Sequence, residues 1–373
     1  MQVMTMSKST SITMEKNYKI LCINPGSTST KLAWFDAGIK LDEISIEHPA
    51  EEISRYQDIL GQLPMRKKAV EGYLCSRNIP VNGMDAIAVR GAPVGRPYHG
   101  GAYLVDRDMY DACLLPQNAG HAMCLAPIIA FEWVRDYNIP AFCYDVVMVD
   151  ELRSEARITA LPEICRTGNC HVLNARAVAR KTAEAMGRSY QDLNLIVCHM
   201  GGGCSTSLHE HGRITDVVSS GEGGFTPSRT GRLPFRELMR LCYSGQYDQS
   251  SLNRKLNGNS GFVAHLGTSD CREVEQMAAE GNEKATIVYE AFIYNMAKDI
   301  TSLASVVCGQ IDGIILTGGI AHSQKLTKEL RKRVEFLAPV TVFPGAIEME
   351  ALADGISRVL RGEEEAHHFS EPF

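Results

Sequence analysis

The chain has 373 residues, of which 45% are hydrophobic and 22% are charged, and its net charge at pH 7 is −6. This composition is that of an ordinary soluble chain, long enough for two domains of typical size. Because basic residues are not in excess and no apolar segment is long enough to span a bilayer, we expect neither a nucleic-acid nor a membrane partner. The expected partner is a small anionic substrate held by a local cationic site.

The twelve cysteines and the N-terminus indicate the compartment. The cysteines stand singly inside apolar runs, as Cys22 and Cys143 do, without the CxxC spacing of a zinc site. Reduced core thiols are therefore expected, which favours a cytoplasmic location. Residues 1–17 contain Lys8 and Lys16 but lack the apolar core of a signal peptide, so we interpret them as a disordered extension.

The ordered chain is predicted to begin with a β-hairpin. An apolar run at 18–23 and a second at 32–35 indicate strands, and the segment NPGSTSTK at 24–31 forms the turn between them. Its amide, hydroxyls, backbone N–H groups and single ammonium suit a phosphate and its magnesium. The spacing of a Walker A loop is absent, and no helix follows the turn.

A helix over 49–78 and a strand over 85–90 are predicted next. Arg90 ends this strand and enters the loop GAPVGRPYHGG, whose glycines and prolines exclude regular structure. An arginine in that place is well positioned to reach a cleft. The alternative role is a surface salt bridge.

A helix over 120–137, with His121 at its start, precedes a strand over 141–149. This strand carries Asp145, and a carboxylate within an apolar strand is costly unless it is paired or bound to a metal. A functional role for Asp145 is therefore favoured.

His171 lies directly before the next predicted helix, over 172–187 and ended by Gly187. A single histidine in that place is more often a capping or packing residue than a catalytic one.

A second hairpin is predicted over 195–217, with strands at 195–198 and 205–208 joined by three glycines. Glycines admit an anion close to the backbone N–H groups, because no Cβ blocks the approach and positive φ costs little. A turn that serves topology alone is the alternative. Two such hairpins, far apart in sequence, suggest two related halves, although no close sequence repeat is visible.

The last third is predicted to be largely helical, at 234–244, 271–279 and 283–308. A strand, a double glycine and a helix start over 311–324 can hold a nucleotide against backbone N–H groups. A final strand at 340–343 leads to the terminal helix, whose first turn contains Glu348 and Glu350. The structural alternative is that such acids only complement the helix dipole, which we favour for Glu350.

Five separated segments together resemble one family. They are INPGSTSTK, CHMGGGCSTS, GEGGFTPSRTG, GTSDCREVE and ILTGGIAHSQ, in the order that is seen in butyrate kinases. The likeness runs from about residue 18 to about residue 361 and places the chain with acetate kinases among the actin-like ATPases. It implies an α/β fold of two ribonuclease-H-like domains with the active site in the cleft between them. The implied N-terminal domain is 18–150 with 350–373, and the implied nucleotide-binding domain is 151–349.

The resemblance also implies a role for individual residues. Catalytic roles are implied for Arg90, Asp145, His171 and Arg229. Metal binding is implied for Asn24, Asp145 and Glu348. Nucleotide binding is implied for Asn24, Ser27, Ser29, Lys31, Gly201, Gly202, Gly203, Asp270, Arg272, Gly318 and Gly319. Substrate binding is implied for Arg90, Ala92, Gly120, His121, Cys170 and Pro227.

Three of these substrate-binding positions hold smaller residues than acetate kinases carry. Ala92, Gly120 and Cys170 stand where acetate kinases have Val, Leu and Phe, which implies a larger acyl pocket. Gly202 stands where acetate kinases have Asn, so a side-chain contact to phosphate there is lost or replaced.

The implied reaction is Mg²⁺-dependent transfer of a phosphoryl group between ATP and butyrate, giving ADP and butyryl phosphate. Acetate, propionate and branched acids such as isobutyrate remain alternative substrates. A chaperone-like ATPase or a transcriptional regulator of the superfamily would need a further domain, for which the chain has no room. The expected assembly is a homodimer or a dimer-based homo-oligomer.

Overall fold

The computed structural model describes residues 17–118 and 120–373. Apart from Asn17, the predicted disordered extension lies outside the described residues. The described strands form a seven-stranded sheet and a five-stranded sheet. The strands are β1 (Lys19–Pro25), β2 (Ser29–Asp36), β3 (Ile39–Glu47), β4 (Ala86–Val89), β5 (Ala102–Leu104), β6 (Ala141–Tyr144), β7 (Leu195–Met200), β8 (Cys204–Glu210), β9 (Arg213–Val218), β10 (Gly313–Gly318), β11 (Val340–Pro344) and β12 (Ala366–His367).

The helices cover the faces of both sheets. None of the helices within 17–118 and 120–373 is long and apolar enough to cross a membrane. The helices are α1 (Ala50–Ile53), α2 (Leu63–Ser76), α3 (Arg107–Cys113), α4 (Leu125–Tyr137), α5 (Ser154–Arg157), α6 (Val172–Ala185), α7 (Phe235–Cys242), α8 (Gln249–Gly258), α9 (Gly261–Leu266), α10 (Cys271–Ala279), α11 (Glu283–Ala304), α12 (Gln324–Val334) and α13 (Glu348–Leu360).

The two sheets share one strand order. The first runs β12-β5-β6-β4-β1-β2-β3 and the second runs β11-β10-β7-β8-β9. In each, an antiparallel three-stranded meander is extended by two parallel strands on its first strand. Strands β5 and β12 are additions to the first sheet only. The two related halves suggested by the hairpins are therefore visible in the topology.

Helices α6 and α13 position two of the predicted site residues, His171 and Glu348. The terminal helix α13 packs on the first sheet, and α6 contacts both α13 and the strands β7 and β10 of the second sheet. The backbone N–H of Ile347, just before α13, donates to the Asn174 side chain on α6 at 3.0 Å. The first turns of α6 and α13 therefore meet, and His171 and Glu348 stand at these first turns.

Several predicted elements differ from the structure. The predicted helix over 49–78 is two helices, α1 and α2, and Pro64 lies in the first turn of α2, where proline is tolerated. The predicted strand over 141–149 ends at Tyr144, because Asp145 has a left-handed φ of 42° that breaks the extended chain.

One further helix agrees with its prediction, whereas several strands and helices were not predicted. The helix predicted over 172–187 is α6, and Gly187 follows it with φ 65°. Strand β3 was missed although its sequence alternates, and so were β5, β12, α3, α8 and α9. The predicted domain boundaries at 150 and 350 stay a prediction.

Candidate active site

The first hairpin has a shorter turn than predicted. Strand β1 ends at Pro25 and β2 begins at Ser29, so Asn24 and Lys31 lie on strands, directly opposite each other. Asn24 is buried, whereas Ser27 and Lys31 are exposed. The tip therefore offers one buried amide, with hydroxyls and an ammonium that are open to solvent.

Arg90, Glu348 and Asn24 form one cluster beside this tip. The two terminal nitrogens of Arg90 donate to the two carboxylate oxygens of Glu348, both at 2.9 Å. The Asn24 amide donates to Glu348 at 3.3 Å. Arg90 reaches this place because its backbone N–H continues the β1–β4 ladder to Ile23. The cluster thus brings together Arg90, assigned to the substrate, Glu348, assigned to the metal, and Asn24, assigned to metal and nucleotide.

His171 contacts Ser205 on strand β8 of the five-stranded sheet. Its Nδ1 lies 2.8 Å from the hydroxyl oxygen of Ser205, which also accepts from the His171 backbone N–H at 3.3 Å. This arrangement leaves the hydroxyl hydrogen free to point at Nδ1 and favours the tautomer with the proton on Nε2. Burial, together with the positive charges of Arg90 and Arg229, lowers the pKa of His171 to about 4. His171 is therefore neutral at pH 7.

His199 is stacked on His171 and was not predicted. The ring centroids are 3.9 Å apart with an interplanar angle of 8°. The Asn174 amide donates to Nδ1 of His199 at 3.0 Å and to Thr317 at 3.1 Å. Burial, then His171 and Arg90, lower the pKa of His199 to about 3. A polar residue at the end of the apolar strand β7 was the available sequence signal, the same signal that identified Asp145.

The second hairpin tip, 201–203, is held by side chains from the loop that carries Arg229. Thr226 donates to the Gly202 carbonyl oxygen at 2.7 Å, and Ser228 donates to it at 3.3 Å. The Arg229 guanidinium covers Gly203, where an added Cβ would lie 2.9 Å from Nη1. The absence of a side chain at Gly203 therefore allows Arg229 to lie against the second tip.

Gly318 is required where β10 meets β7. It has φ 90°, and an added Cβ would collide with the carbonyl oxygen of Met200. The double glycine is followed by a 3-10 turn, Gly319–His322, and α12 begins only at Gln324 with Ser323 as its N-cap. The predicted helix start next to the double glycine is therefore displaced by one turn.

A cavity of about 1000 Å³ opens beside the second tip. Asp270 caps α10 there and forms an ion pair with Arg272 at 2.6 Å. Hydrogen bonds from the Arg272 side chain, and then from its backbone N–H, lower the pKa of Asp270 to about 2. The predicted residues that line the cavity are Gly201, Gly202, Pro227, Asp270, Arg272 and Gly319. Pro227, assigned to the substrate, thus lies with the nucleotide residues.

Asp145 lies apart from Glu348. It is buried, accepts from the Gly101 N–H at 2.9 Å and forms an ion pair with Arg176 at 3.2 Å. Burial raises the pKa of Asp145, and Arg176 opposes that rise. No hydrogen bond or ion pair among the described residues joins Asp145 to Glu348 or Asn24. Its predicted catalytic and metal roles stay predictions.

The predicted acyl-pocket residues separate into two groups. Ala92 and Cys170 are buried in one apolar cluster, together with Tyr98, Cys124 and Val146. Gly120 and His121 are exposed, and no atom lies within 4 Å of a Cβ built at Gly120. The structure therefore places Ala92 and Cys170 in the same buried cluster and leaves Gly120 and His121 outside it.

The side chains of Glu348 and Asn24 beside the first tip fit a magnesium ion whose remaining ligands are phosphate and water oxygens. Mg²⁺ in phosphoryl-transfer sites takes one or two carboxylates and completes its shell with phosphate and water oxygens. Glu348 is a half-buried carboxylate next to Asn24, and this single pair matches that requirement. In the described ranges no three His, Cys, Asp or Glu side chains form a cluster that could hold a metal alone.

Known proteins resemble this chain along nearly its whole length. The model of the acetokinase family matches residues 162–341. Butyrate kinase 1 of Clostridium acetobutylicum is 41% identical over 354 residues, which are 94% of this chain and 99% of that protein.

Solved structures resemble the fold as well. A Porphyromonas gingivalis acetate kinase matches with a TM-score of 0.76 at 19% identity, over 92% of this chain and all of that one. A propionate kinase of Francisella tularensis matches with a TM-score of 0.72 at 18% identity, over 91% and 98% of the two chains. The chain therefore has the fold of these kinases.

Proposed function

The chain belongs to the acetokinase family, and we propose that it is a butyrate kinase, which transfers a phosphoryl group reversibly between ATP and butyrate. One observation carries this proposal. The positive charges of Arg90 and Arg229 both act on His171, and Arg229 covers Gly203 at the tip that lines the cavity, while Ala92 and Cys170 are buried in one apolar cluster. An anion with a short apolar tail, placed beside a nucleotide, matches this arrangement.

The reaction requires charge compensation more than proton transfer. A carboxylate oxygen of butyrate attacks the γ-phosphorus of ATP, the bond to the β,γ-bridging oxygen breaks, and ADP leaves. The acid has a pKa near that of Glu, about 4 to 5, so it is already ionised at pH 7 and needs no general base. Arg90 and Arg229 hold the carboxylate and the transferring phosphoryl group against their mutual repulsion.

Neutral His171 complements the two arginines. Because its pKa is about 4, it adds no third positive charge that would repel Arg90 and Arg229. With Nδ1 occupied by Ser205, its Nε2–H is a hydrogen-bond donor for an oxygen of the transferring group. His171 thus stabilises developing charge by donating a hydrogen bond and not by exchanging a proton.

Magnesium is part of the proposal, held by Glu348 with Asn24. When bound, the ion would neutralise phosphate charge. In the structure both oxygens of Glu348 are paired with Arg90, so binding of metal and substrate requires the two to exchange partners. Arg90 would then turn to the substrate carboxylate, and Glu348 would become free for the metal.

Butyrate is proposed over acetate because of the small residues in the apolar cluster. Ala92 and Cys170 are both buried there, and we propose that the acyl chain occupies the volume that larger residues would fill at these positions. Each buried methylene contributes about 0.8 kcal/mol. Two methylenes would therefore favour butyrate by roughly ten- to twentyfold in kcat/KM.

The assay for this function traps the acyl phosphate. We expect hydroxamate to form from ATP, Mg²⁺ and hydroxylamine with butyrate, and more slowly with shorter acids in a C2 to C6 series that includes isobutyrate. A reaction without Mg²⁺ is the control. No hydroxamate above that control with any acid would exclude the kinase assignment.

A homodimer is also proposed, with α7 at its interface. The exposed fractions of Phe235, Met239 and Tyr243 at α7 are 73%, 53% and 87%, and none of the α7 residues is buried. These side chains present roughly 400 Å² per subunit, about half of what one partner of a standard interface buries. Phe235→Lys with Tyr243→Lys should yield monomers in light scattering, and an unchanged mass would exclude this face.

A cytoplasmic location completes the proposal. All twelve cysteines are free thiols, and most of them are buried. Free thiols persist in a reducing compartment.

A further inference from the structure

Arg66 is a buried cation beneath the first hairpin tip, and no role was predicted for it from the sequence. It lies on α2 and its relative exposure is 0%. Burying a charge is costly unless the charge is paired or fully hydrogen-bonded. The contacts of Arg66 therefore require an explanation.

All five N–H donors of Arg66 are satisfied, each by a neutral acceptor. Nε and Nη2 donate to the Gln62 side-chain oxygen at 3.2 and 2.9 Å. Nη2 also donates to the Ser27 carbonyl oxygen at 2.9 Å, and Nη1 donates to the Ser29 carbonyl oxygen at 2.7 Å and the Thr30 hydroxyl at 3.0 Å. Within 17–118 and 120–373, no carboxylate forms an ion pair with Arg66.

These bonds turn the peptide groups of the tip. The carbonyl oxygens of Ser27 and Ser29 point inward to Arg66, and that of Thr28 accepts from the His48 N–H at 2.8 Å. In each peptide group the carbonyl of one residue lies opposite the N–H of the next residue, so of the N–H groups in this segment it is that of Thr28 which the inward Ser27 carbonyl directs outward. The N–H groups of Ser27 and Thr28 donate to no acceptor in the described part of the chain, and both residues are exposed.

We propose that Arg66 is a positioning residue for phosphate: its uncompensated charge and its five hydrogen bonds hold the first tip as an anion-binding loop. A neutral residue could satisfy the same carbonyls in part, but it would add no positive charge behind the exposed N–H groups. A carboxylate partner would remove that charge. The inference rests on the proposed function, because it assigns the phosphate of MgATP to this tip.

Gln62→Glu tests the charge while keeping the contacts. Glutamate has nearly the same shape and accepts both Arg66 hydrogen bonds, so an ion pair replaces a neutral contact. We expect the thermal midpoint to stay or rise, while the Kd of MgATP, measured by calorimetry without carboxylic acid, rises about tenfold. This is the effect of a unit charge acting over roughly 10 Å at an effective dielectric constant of about 20.

Gln191→Glu is the matched control. Gln191 is exposed and lies before the start of β7, whereas the site lies at the end of β7. This variant adds the same charge to the protein and should leave the Kd of MgATP unchanged. Affinity is measured well below each midpoint, so that unfolding does not enter the Kd.

Arg66→Lys separates charge from structure. It keeps the cation but loses most of the five hydrogen bonds, so we expect a lower midpoint than for Gln62→Glu and a smaller rise in the Kd of MgATP. A purely structural role predicts that Arg66→Lys is the worse variant in both measurements. That order, or an unchanged Kd in Gln62→Glu, would overturn the proposal. A wild-type protein that binds MgATP but phosphorylates no acid would contradict the proposed function alone.

Discussion

The first half of the molecule, built on the seven-stranded sheet, and the second half, built on the five-stranded sheet, carry different side chains at equivalent positions of the same strand arrangement. By pairing register, Asn24, Lys31 and Arg90 in the first half correspond to His199, Ser205 and Thr317 in the second. The first set contains two cations and the second contains none. Gly91 and Gly318 also correspond, and both have positive φ.

Under the proposed function, the two tips would hold phosphate in two different ways. The first tip supplies hydroxyls, an ammonium and N–H groups above the buried Arg66. The second tip supplies backbone alone, fixed by Thr226 and covered by Arg229. Two sheets with the same strand order can therefore provide different groups for one reaction, because the strands fix the positions and the side chains determine the charge.

The largest expected effect tests whether the two halves share one site. Arg90→Ala and Arg229→Ala should each lower kcat/KM by about 10²–10³, because each removes a charge clamp made in the transition state. Steady-state rates of acyl phosphate formation measure this. Arg107→Ala, at an exposed ion pair on α3, is the control and should change little. If only one of the two cleft variants is impaired, the other arginine lies outside the site.

The second effect concerns the equivalent glycines. Gly91→Ala and Gly318→Ala should each lower the free energy of unfolding by about 2 kcal/mol or more, because each requires positive φ and an added Cβ would collide with a backbone carbonyl. Gly202→Ala has no atom within 4 Å of its new Cβ and should change stability by under ~0.5 kcal/mol. Denaturant titration separates these cases. A neutral Gly318→Ala would contradict the close approach of β10 to β7.

The third effect belongs to the first half and concerns substrate size. Ala92→Val with Cys170→Phe should lower kcat/KM for butyrate and isobutyrate more than for acetate, by roughly tenfold in the ratio, because the added side chains fill the proposed acyl volume. Ala130→Val, in the same cluster, controls for overpacking. An unchanged ratio would show that Ala92 and Cys170 do not line the acyl site.

The smallest effect belongs to the second half and appears only with pH. Below pH 6.5 histidines of the unfolded chain bind protons, whereas His199, with its pKa of about 3, stays neutral in the folded protein. Stability is therefore lost as pH falls from 6.5 toward 3. His199→Asn copies the first-half residue Asn24 and should reduce the stability loss between pH 7.5 and 5.5 by about 1.4 kcal/mol. An unaltered pH dependence of the thermal midpoint would contradict a neutral His199.

Sequence reasoning located the elements that hold the predicted site residues more reliably than the contacts among those residues. The glycine and hydroxyl-rich turns, the strand-end Arg90 and the helix-start His171 were all visible as local patterns. Local patterns also misled where the backbone changes direction, since Asp145 was placed inside a strand that ends one residue earlier. Asp145 pairs with Arg176, which lies 31 positions later on another element, and no local spacing in the sequence encodes this pairing.

The sequence by itself determined the family, through the resemblance of five separated segments, and the two hairpins, because strand and turn preferences depend on neighbours in the chain. Only the tertiary structure decided which of them meet. The stacking of His171 on His199, the ion pair between Arg90 and Glu348, and the burial of Arg66 join elements distant in sequence. Their charge states follow from burial and from the field of those distant partners, so they were fixed only when the chain had packed.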